Sequence, residues 1–445
     1  MEYFVVAGGS PLAGEVHIAG AKNVALKAFV ASLLTDEEIT LHNVPLITDV
    51  FFMLDVLKSL GVSVRIEGNS VRIRNGHMKK STVPLEVGAR LRTSSLVLGP
   101  MLARIGKARI PNPGGCRIGA RPIDRHIEGL MKMGASIAYH SEDGYFYASA
   151  KRLHGTVFTF PKNTHTGTET LMLAAVLAEG ETVLKNAAEE VEIDDLIGLL
   201  RAMGADIRRR APREIVIRGV GALHGATYTI MPDRNEEVTF AIAAAVTGGN
   251  ITVRQSVRGH LGAFLSAFQK AGGRAEIIDE TSTRYSQPGP IRPTDIVTRI
   301  HPGFMTDWQG PWALYMTQAN GISTVHETVF ESRFSYVSEL RKMGSSIDFF
   351  DPPVDDPESF YNFNWGDRIE GYHQAIRISG PTQFHNAVLV MEDLRAGATL
   401  LLAALTAHGE SYIHGIEQID RGYERIEERL CALGAKIIRK REEKL

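Results

Sequence analysis

Cys116 stands in the run Pro111-Asn112-Pro113-Gly114-Gly115-Cys116-Arg117-Ile118-Gly119-Ala120-Arg121-Pro122. Four of the five residues before it are Pro or Gly, which predicts an exposed loop rather than a core segment. Arg117 and Arg121 would favour the thiolate, the reactive form of the side chain. Cys116 is therefore a candidate nucleophile or proton donor, against the alternative of an idle surface thiol. Lys22, in Ile18-Ala19-Gly20-Ala21-Lys22-Asn23, falls at an expected helix start, where backbone N–H groups and the dipole also attract anions. Arg92, Arg121, Arg333, Arg395 and Arg421 each sit near an expected turn or helix start. One such arginine carries little meaning, but five with a lysine suit a multiply charged phosphate substrate. Asp307, in Phe304-Met305-Thr306-Asp307-Trp308, reads as a lone carboxylate among apolar neighbours. Burial there would raise its pKa and suit it to general-base work, whereas helix N-capping is the plainer alternative.

Other chemistries find no support. No Gly-Lys-Ser/Thr follows the glycines of the Cys116 run, and Gly8-Gly9 with Gly14 are too loosely spaced for a dinucleotide fingerprint. No His or Cys spacing resembles a zinc site, so neither metal nor cofactor is expected. His165 and His301 are isolated in sequence and read as ordinary hydrogen-bonded histidines. A formal charge of -2 offers no basic surface for nucleic acid. The two cysteines, Cys116 and Cys431, make no disulfide framework, and Cys431 falls on the apolar stripe of a terminal helix as a packing residue. The N-terminus lacks the pattern of a secretion signal, and no apolar run reaches the ~18 residues of a membrane span. A soluble, cytoplasmic protein with no membrane partner is expected.

The elements that must position these residues repeat. Leu57-Lys58-Ser59-Leu60-Gly61-Val62-Ser63-Val64 returns as Leu130–Ile137, Leu200–Ile207, Leu340–Ile347 and Leu430–Ile437, with a weaker copy at Phe268–Gly272. The glycines at 61, 134, 204, 272, 344 and 434 are separated by 73, 70, 68, 72 and 90 residues. Each copy reads as an amphipathic helix that stops at a left-handed glycine cap and runs straight into a strand. A helix rich in small residues precedes each copy, as in Leu171–Gly180, Phe240–Gly249, Ala313–Gly321 and Leu400–Gly409. Six α/β units, gathered as two globes of three, follow, with a boundary near Met231-Pro232-Asp233-Arg234. Thr281 to Pro293 is polar and reads as a loop. Asp351 to Arg368, with Pro352-Pro353 and the aromatic run Phe360 to Trp365, accounts for the long step and reads as a lid, an interface or a surface loop held by its aromatics.

Taken in order, these segments resemble the UDP-N-acetylglucosamine 1-carboxyvinyltransferases, enolpyruvyl transferases of peptidoglycan synthesis. The resemblance covers nearly the whole chain. It includes Gly20-Ala21-Lys22-Asn23, the Cys116 loop through Asp124, Pro232-Asp233-Arg234, Thr306-Asp307, Phe330-Glu331-Ser332-Arg333-Phe334, Asp393-Leu394-Arg395 and Asp420-Arg421-Gly422-Tyr423-Glu424-Arg425-Ile426-Glu427. It implies an α/β protein of two inside-out domains, each of three βαβαββ-type repeats. Residues 1–21 with 232–445 would form a catalytic C-terminal domain, and 22–231 an N-terminal domain carrying the Cys116 loop. The implied substrates are phosphoenolpyruvate and UDP-N-acetylglucosamine. By the same resemblance, Lys22 and Arg421 bind phosphoenolpyruvate, with Arg121 and Arg395 in the same cluster. Arg92 and Arg121-Pro122-Ile123-Asp124 hold the uridine nucleotide, and Lys162 and Thr164 the diphosphate and nucleoside. Asn23, Asp307 and Val329 meet the amino sugar, Arg333 joins the substrate-binding set, Cys116 donates a proton, and Asp307 accepts one.

Four departures stand out, one of them the roughly twenty-residue insertion near Asp351, which has no counterpart in the family's common form. Lys162-Asn163-Thr164-His165-Thr166-Gly167-Thr168-Glu169 replaces the family's Lys-Val-Ser-Val-Gly-Ala-Thr, Glu190-Val191-Glu192 replaces Glu-Pro-Glu, and Trp308 and Trp312 stand where smaller side chains are common. They keep two alternatives open: an enolpyruvyl transferase for another uridine nucleotide, or a non-catalytic paralogue that binds UDP-sugar.

Overall fold

The computed structural model describes residues 2–76, 78, 80–114 and 122–441. Cys116 and Arg121 lie outside the described residues. Two compact units divide the described residues, one from 2–19 and 232–441, the other from those between Gly20 and Met231.

All six repeat glycines have φ between +95° and +105°. At each, the glycine N–H bonds the carbonyl three residues back and the next N–H reaches five back. Gly61 to Lys58 with Val62 to Leu57 begins the series, and Gly434 to Cys431 with Ala435 to Leu430 ends it. This is the Schellman cap, and a side chain at the left-handed position would cost about 1–2 kcal/mol.

Each capped helix delivers the chain into a small sheet of one pattern. In Ala13–His17, Asn250–Arg254, Ser282–Ser286 and Arg274–Asp279, the first pair is parallel and the next two are antiparallel. The same order recurs in Ile296–Val297, Gly321–His326, Ala375–Gly380 and Ser346–Phe350. Among the described residues five sheets have four strands. The sixth has three, Lys107–Pro111, Tyr145–Ser149 and Ser136–His140, and a parallel bridge from Thr82 to Arg109 stands where its fourth would be.

The helices form the interior. In the unit that contains Asp307, every residue of Arg234–Val246 and Gln309–Thr317 is buried, as is Arg395 through Leu405. These three helices pack on one another, and alanine and glycine on their faces permit the close approach. In the other unit Leu98–Ile105 packs on His165–Ala175, and Lys22–Ala31 on Val191–Ala202. Helices buried on every side are core helices, so here the helices lie inside and the sheets outside. Trp308 and Trp312 are core side chains, packed with Phe264 and Phe304, and Trp308 Nε1 donates to Asn235 Oδ1 at 2.9 Å.

One expectation is corrected. Thr281 to Pro293 is not all loop, because Ser282–Ser286 is a central strand paired on both sides. Its polar groups are satisfied internally. Thr283 Oγ1 and Ser256 Oγ lie 2.8 Å apart, and the Tyr285 hydroxyl donates to Glu237 Oε1 at 2.6 Å. A polar run reads as loop only when its hydrogen bonds go to water. No helix among the described residues is long and apolar enough to cross a membrane.

Candidate active site

Asp307 lies in the 3-10 turn Thr306–Trp308, which leads into the core helix Gln309–Thr317. Met305, not Asp307, is the cap of that turn, so the capping alternative fails. The surroundings are not apolar either. Arg333 Nη2 donates to Asp307 Oδ1 at 2.5 Å, and Arg395 Nη2 stands 3.7 Å from Asp307 Oδ2. The apolar neighbours in sequence point into the core, and the carboxylate meets two guanidiniums contributed from far along the chain.

Arg395 is placed by a cap. Asp393 Oδ1 accepts from the N–H groups of Arg395 and Ala396, and Ser335 Oγ donates to Asp393 Oδ2 at 2.6 Å. Arg395 Nη1 donates to the Tyr423 hydroxyl at 2.9 Å, and that hydroxyl shares a 2.7 Å bond with Thr239. Burial alone would lower the pKa of Arg395, but Tyr423, Asp307 and Asp233 more than offset it, so the guanidinium stays charged.

Beneath Arg333 lies Glu327, fully buried. Its Oε1 accepts from the N–H groups of Val329 at 2.7 Å and Phe330 at 3.1 Å, and its Oε2 from Thr306 Oγ1 at 2.8 Å. One carboxylate thus ties the Val329 segment to the Asp307 turn. Desolvation raises its pKa, against the lowering influence of Arg333. Arg421, at the end of the 3-10 segment Ile416–Arg421, donates from Nη1 to Gln418 Oε1 at 3.4 Å.

In the other unit Lys22 is the first residue of helix Lys22–Ala31, and its Nζ is 2.6 Å from Asp49 Oδ2. Half-buried Asn23 follows it. Arg92 opens the 3-10 segment Arg92–Val97 and donates from Nη1 to the Pro113 carbonyl at 3.2 Å. Pro122 is exposed, Ile123 buried, and Asp124 begins helix Asp124–Lys132. Lys162 is half-buried, and Thr164 caps helix His165–Ala175, its Oγ1 accepting from Gly167 N at 3.2 Å.

His165 is isolated only in sequence. Its Nε2 lies 3.2 Å from Glu169 Oε1, which lies 3.3 Å from Lys27 Nζ. Burial would lower the pKa of His165, but Glu169 reverses the direction and raises it. His301 Nδ1 stands 3.2 Å from Arg234 Nη1. Cys431 Sγ lies 3.5 Å from the Ile437 carbonyl, a packing position.

The structure thus brings Asp307, Arg333 and Arg395 together, and places Lys22 on Asp49. Sequence reasoning missed Asp49, Glu327, Glu169 and Tyr423 as members of these clusters. Tyr423 lay within the quoted Asp420–Glu427 segment, but a buried carboxylate such as Glu327 leaves no local signal.

Residues 6–430 match the family of EPSP synthase (3-phosphoshikimate 1-carboxyvinyltransferase). The UDP-N-acetylglucosamine 1-carboxyvinyltransferase of Acidobacterium capsulatum is 44% identical over 443 residues, covering 99% of this chain and 96% of the relative. That of Solibacter usitatus is 44% identical over 440 residues, covering 99% and 100%. Two solved structures share the fold. The enolpyruvyl transferase NikO from Streptomyces tendae has a TM-score of 0.85 at 23% identity, covering 99% of each chain. EPSP synthase from Acinetobacter baumannii has a TM-score of 0.74 at 18% identity, covering 99% of this chain and 100% of its own. With a family match along nearly its whole length and relatives this similar from end to end, the chain belongs to the EPSP synthase family of enolpyruvyl transferases, among the UDP-N-acetylglucosamine 1-carboxyvinyltransferases.

Proposed function

We propose that the protein transfers the enolpyruvyl group of phosphoenolpyruvate to the 3-hydroxyl of UDP-N-acetylglucosamine and releases phosphate. The observation that carries this reading is the Asp307 carboxylate held between Arg333 and Arg395, a base and an anion site built together. In the proposed reaction Cys116 gives a proton to the methylene carbon of phosphoenolpyruvate, leaving a cationic carbon. The sugar hydroxyl attacks that carbon while Asp307 takes its proton. The tetrahedral adduct then loses a proton from the new methyl group and expels phosphate, whose charge Lys22, Arg121, Arg395 and Arg421 receive. An incoming phosphate would compete for Arg395, whose hold on Asp307 is the longer of the two, and would leave Oδ2 to act as base while Arg333 keeps Oδ1.

In the same reading Asn23, Val329 and Arg333 hold the amino sugar, and Arg92, Pro122, Ile123, Asp124, Lys162 and Thr164 the uridine diphosphate. The reaction would be the first committed step of peptidoglycan synthesis, in the cytoplasm, with Cys116 the group that fosfomycin alkylates. A second acceptor, another uridine nucleotide, is motivated by the altered Lys162–Glu169 segment, whose His165 and Glu169 pair with each other and with Lys27. Phosphate release from phosphoenolpyruvate, assayed with UDP-N-acetylglucosamine, UMP and shikimate 3-phosphate, separates these. Release with the UDP-sugar alone supports the first reading, and release with UMP alone replaces it with the second.

A further inference from the structure

Phe350 and Ala375 face each other across the ladder between Ser346–Phe350 and Ala375–Gly380. A short turn would join them, as Gly68-Asn69, Pro212-Arg213 and Glu280-Thr281 join the corresponding strands of three other sheets. Instead residues 351–374 leave the sheet and build a cluster of their own. Tyr361 is buried, its ring stacked 4.7 Å from Trp365 and its hydroxyl 3.0 Å from His326 Nε2. Arg299 lies over the Phe360 ring at 4.1 Å, and its Nη1 donates to the Phe360 carbonyl at 3.3 Å.

Several of the contacts that leave this cluster reach one segment. Asn362 N–H donates to the Thr328 carbonyl at 2.8 Å, and Gln374 Nε2 to the Glu331 carbonyl at 3.1 Å. Glu327 N–H donates in return to the Gln374 carbonyl at 2.8 Å. Thr328 is further pinned to Thr298, its N–H donating to Thr298 Oγ1 at 2.8 Å. The segment so held carries Val329, on the Glu327 carboxylate, and Arg333, on Asp307. A loop backbone holds one position when its polar groups are bonded to a rigid neighbour rather than to water.

We propose that residues 351–374 brace the Thr328–Arg333 segment, with Asn362 and Gln374 as positioning residues for the acceptor subsite. The acceptor role rests on the function proposed above. The brace itself rests only on the bonds just described.

The test replaces residues 351–374 with Asn-Gly, which suits the Phe350–Ala375 pair. It adds Gln374→Leu, similar in bulk but unable to bond the Glu331 carbonyl, in case the excised protein fails to fold. Amide hydrogen exchange at Val329 and Phe330 should quicken about tenfold in either variant, and the KM for UDP-N-acetylglucosamine should rise about tenfold while that for phosphoenolpyruvate stays within about twofold. Unchanged exchange in a folded variant overturns the brace. Faster exchange with an unchanged acceptor KM, or an equal rise in both KM values, overturns the acceptor role. A parent protein inactive on UDP-N-acetylglucosamine would instead reject the proposed acceptor, and the exchange measurement would still decide the brace.

Discussion

Arg333 Nη2 donates to Asp307 Oδ1 at 2.5 Å, with the Arg333 side chain 8% and the Asp307 side chain 20% exposed. The pair is shielded enough for its geometry to matter and open enough for a substrate to reach the carboxylate. Asp307→Asn keeps an acceptor for Arg333 but loses the base. We expect kcat to fall by about 100-fold or more, as for loss of a general base, with a thermal midpoint close to that of the parent. Parent-like turnover in the folded variant would remove Asp307 from the proton transfer.

Lys27, Glu169 and His165 form a buried ion cluster in the other unit. Removing one partner strands a charge, so Glu169→Gln should cost about 3–5 kcal/mol in urea unfolding. Replacing both of these ions, as Lys27→Met with Glu169→Leu, should recover part of that loss, because the apolar pair needs no compensation and His165, losing Glu169, can stay neutral. Additive single-variant losses would show that the two ions do not depend on each other.

Gly61 has φ +95° and open space where a Cβ would stand, whereas a Cβ on Gly20 would meet the Asn43 carbonyl oxygen at 1.7 Å. Gly61→Ala should therefore cost about 1–2 kcal/mol from backbone strain alone and leave activity unchanged. Gly20→Ala must displace the backbone just before Lys22, so it should be the more destabilising and also raise the KM for phosphoenolpyruvate. Thermal melts of the two proteins, beside their kinetics, check the order.

His326 is held at a pKa of about 4, mainly by burial and then by Arg299, with Asp351 opposing. Between its ordinary value near 6.5 and about 4, the unfolded chain binds the proton and the folded one does not. Stability is therefore lost as pH falls through that window and the loss is complete below it. His326→Asn should lower the stability difference between pH 7 and pH 5, read from urea midpoints, and an unaltered difference would count against His326.

If Cys116 donates the proton, Cys116→Asp should retain measurable turnover, since a carboxylic acid still carries a transferable proton. Cys116→Ala should lose most of it. Equal rates for the two proteins would speak against proton donation.

The six glycines at near-constant intervals are legible in the sequence, because the Schellman cap is a local event spanning six residues. Core helices were legible in the same way: Leu400 to Leu405 is apolar on every side, and such a run has nowhere to go but inward. The motif residues Lys22, Asp307, Arg395 and Arg421 were identifiable by type and context. What stood opposite each of them was not. Asp307 read as a carboxylate in apolar company, and the fold set it against arginines 26 and 88 residues further along. Ser282–Ser286 read as loop because its polar side chains bond across the sheet and to a core carboxylate, partners invisible from within the strand. The long fifth connection was evident from its length, but not that it would bond the backbone beside Val329. Sequence alone determined caps, periods and the burial of apolar runs, which depend on neighbours within a turn or two. Tertiary structure decided which charges meet, because a pairing across tens of residues exists only once the chain between them has folded.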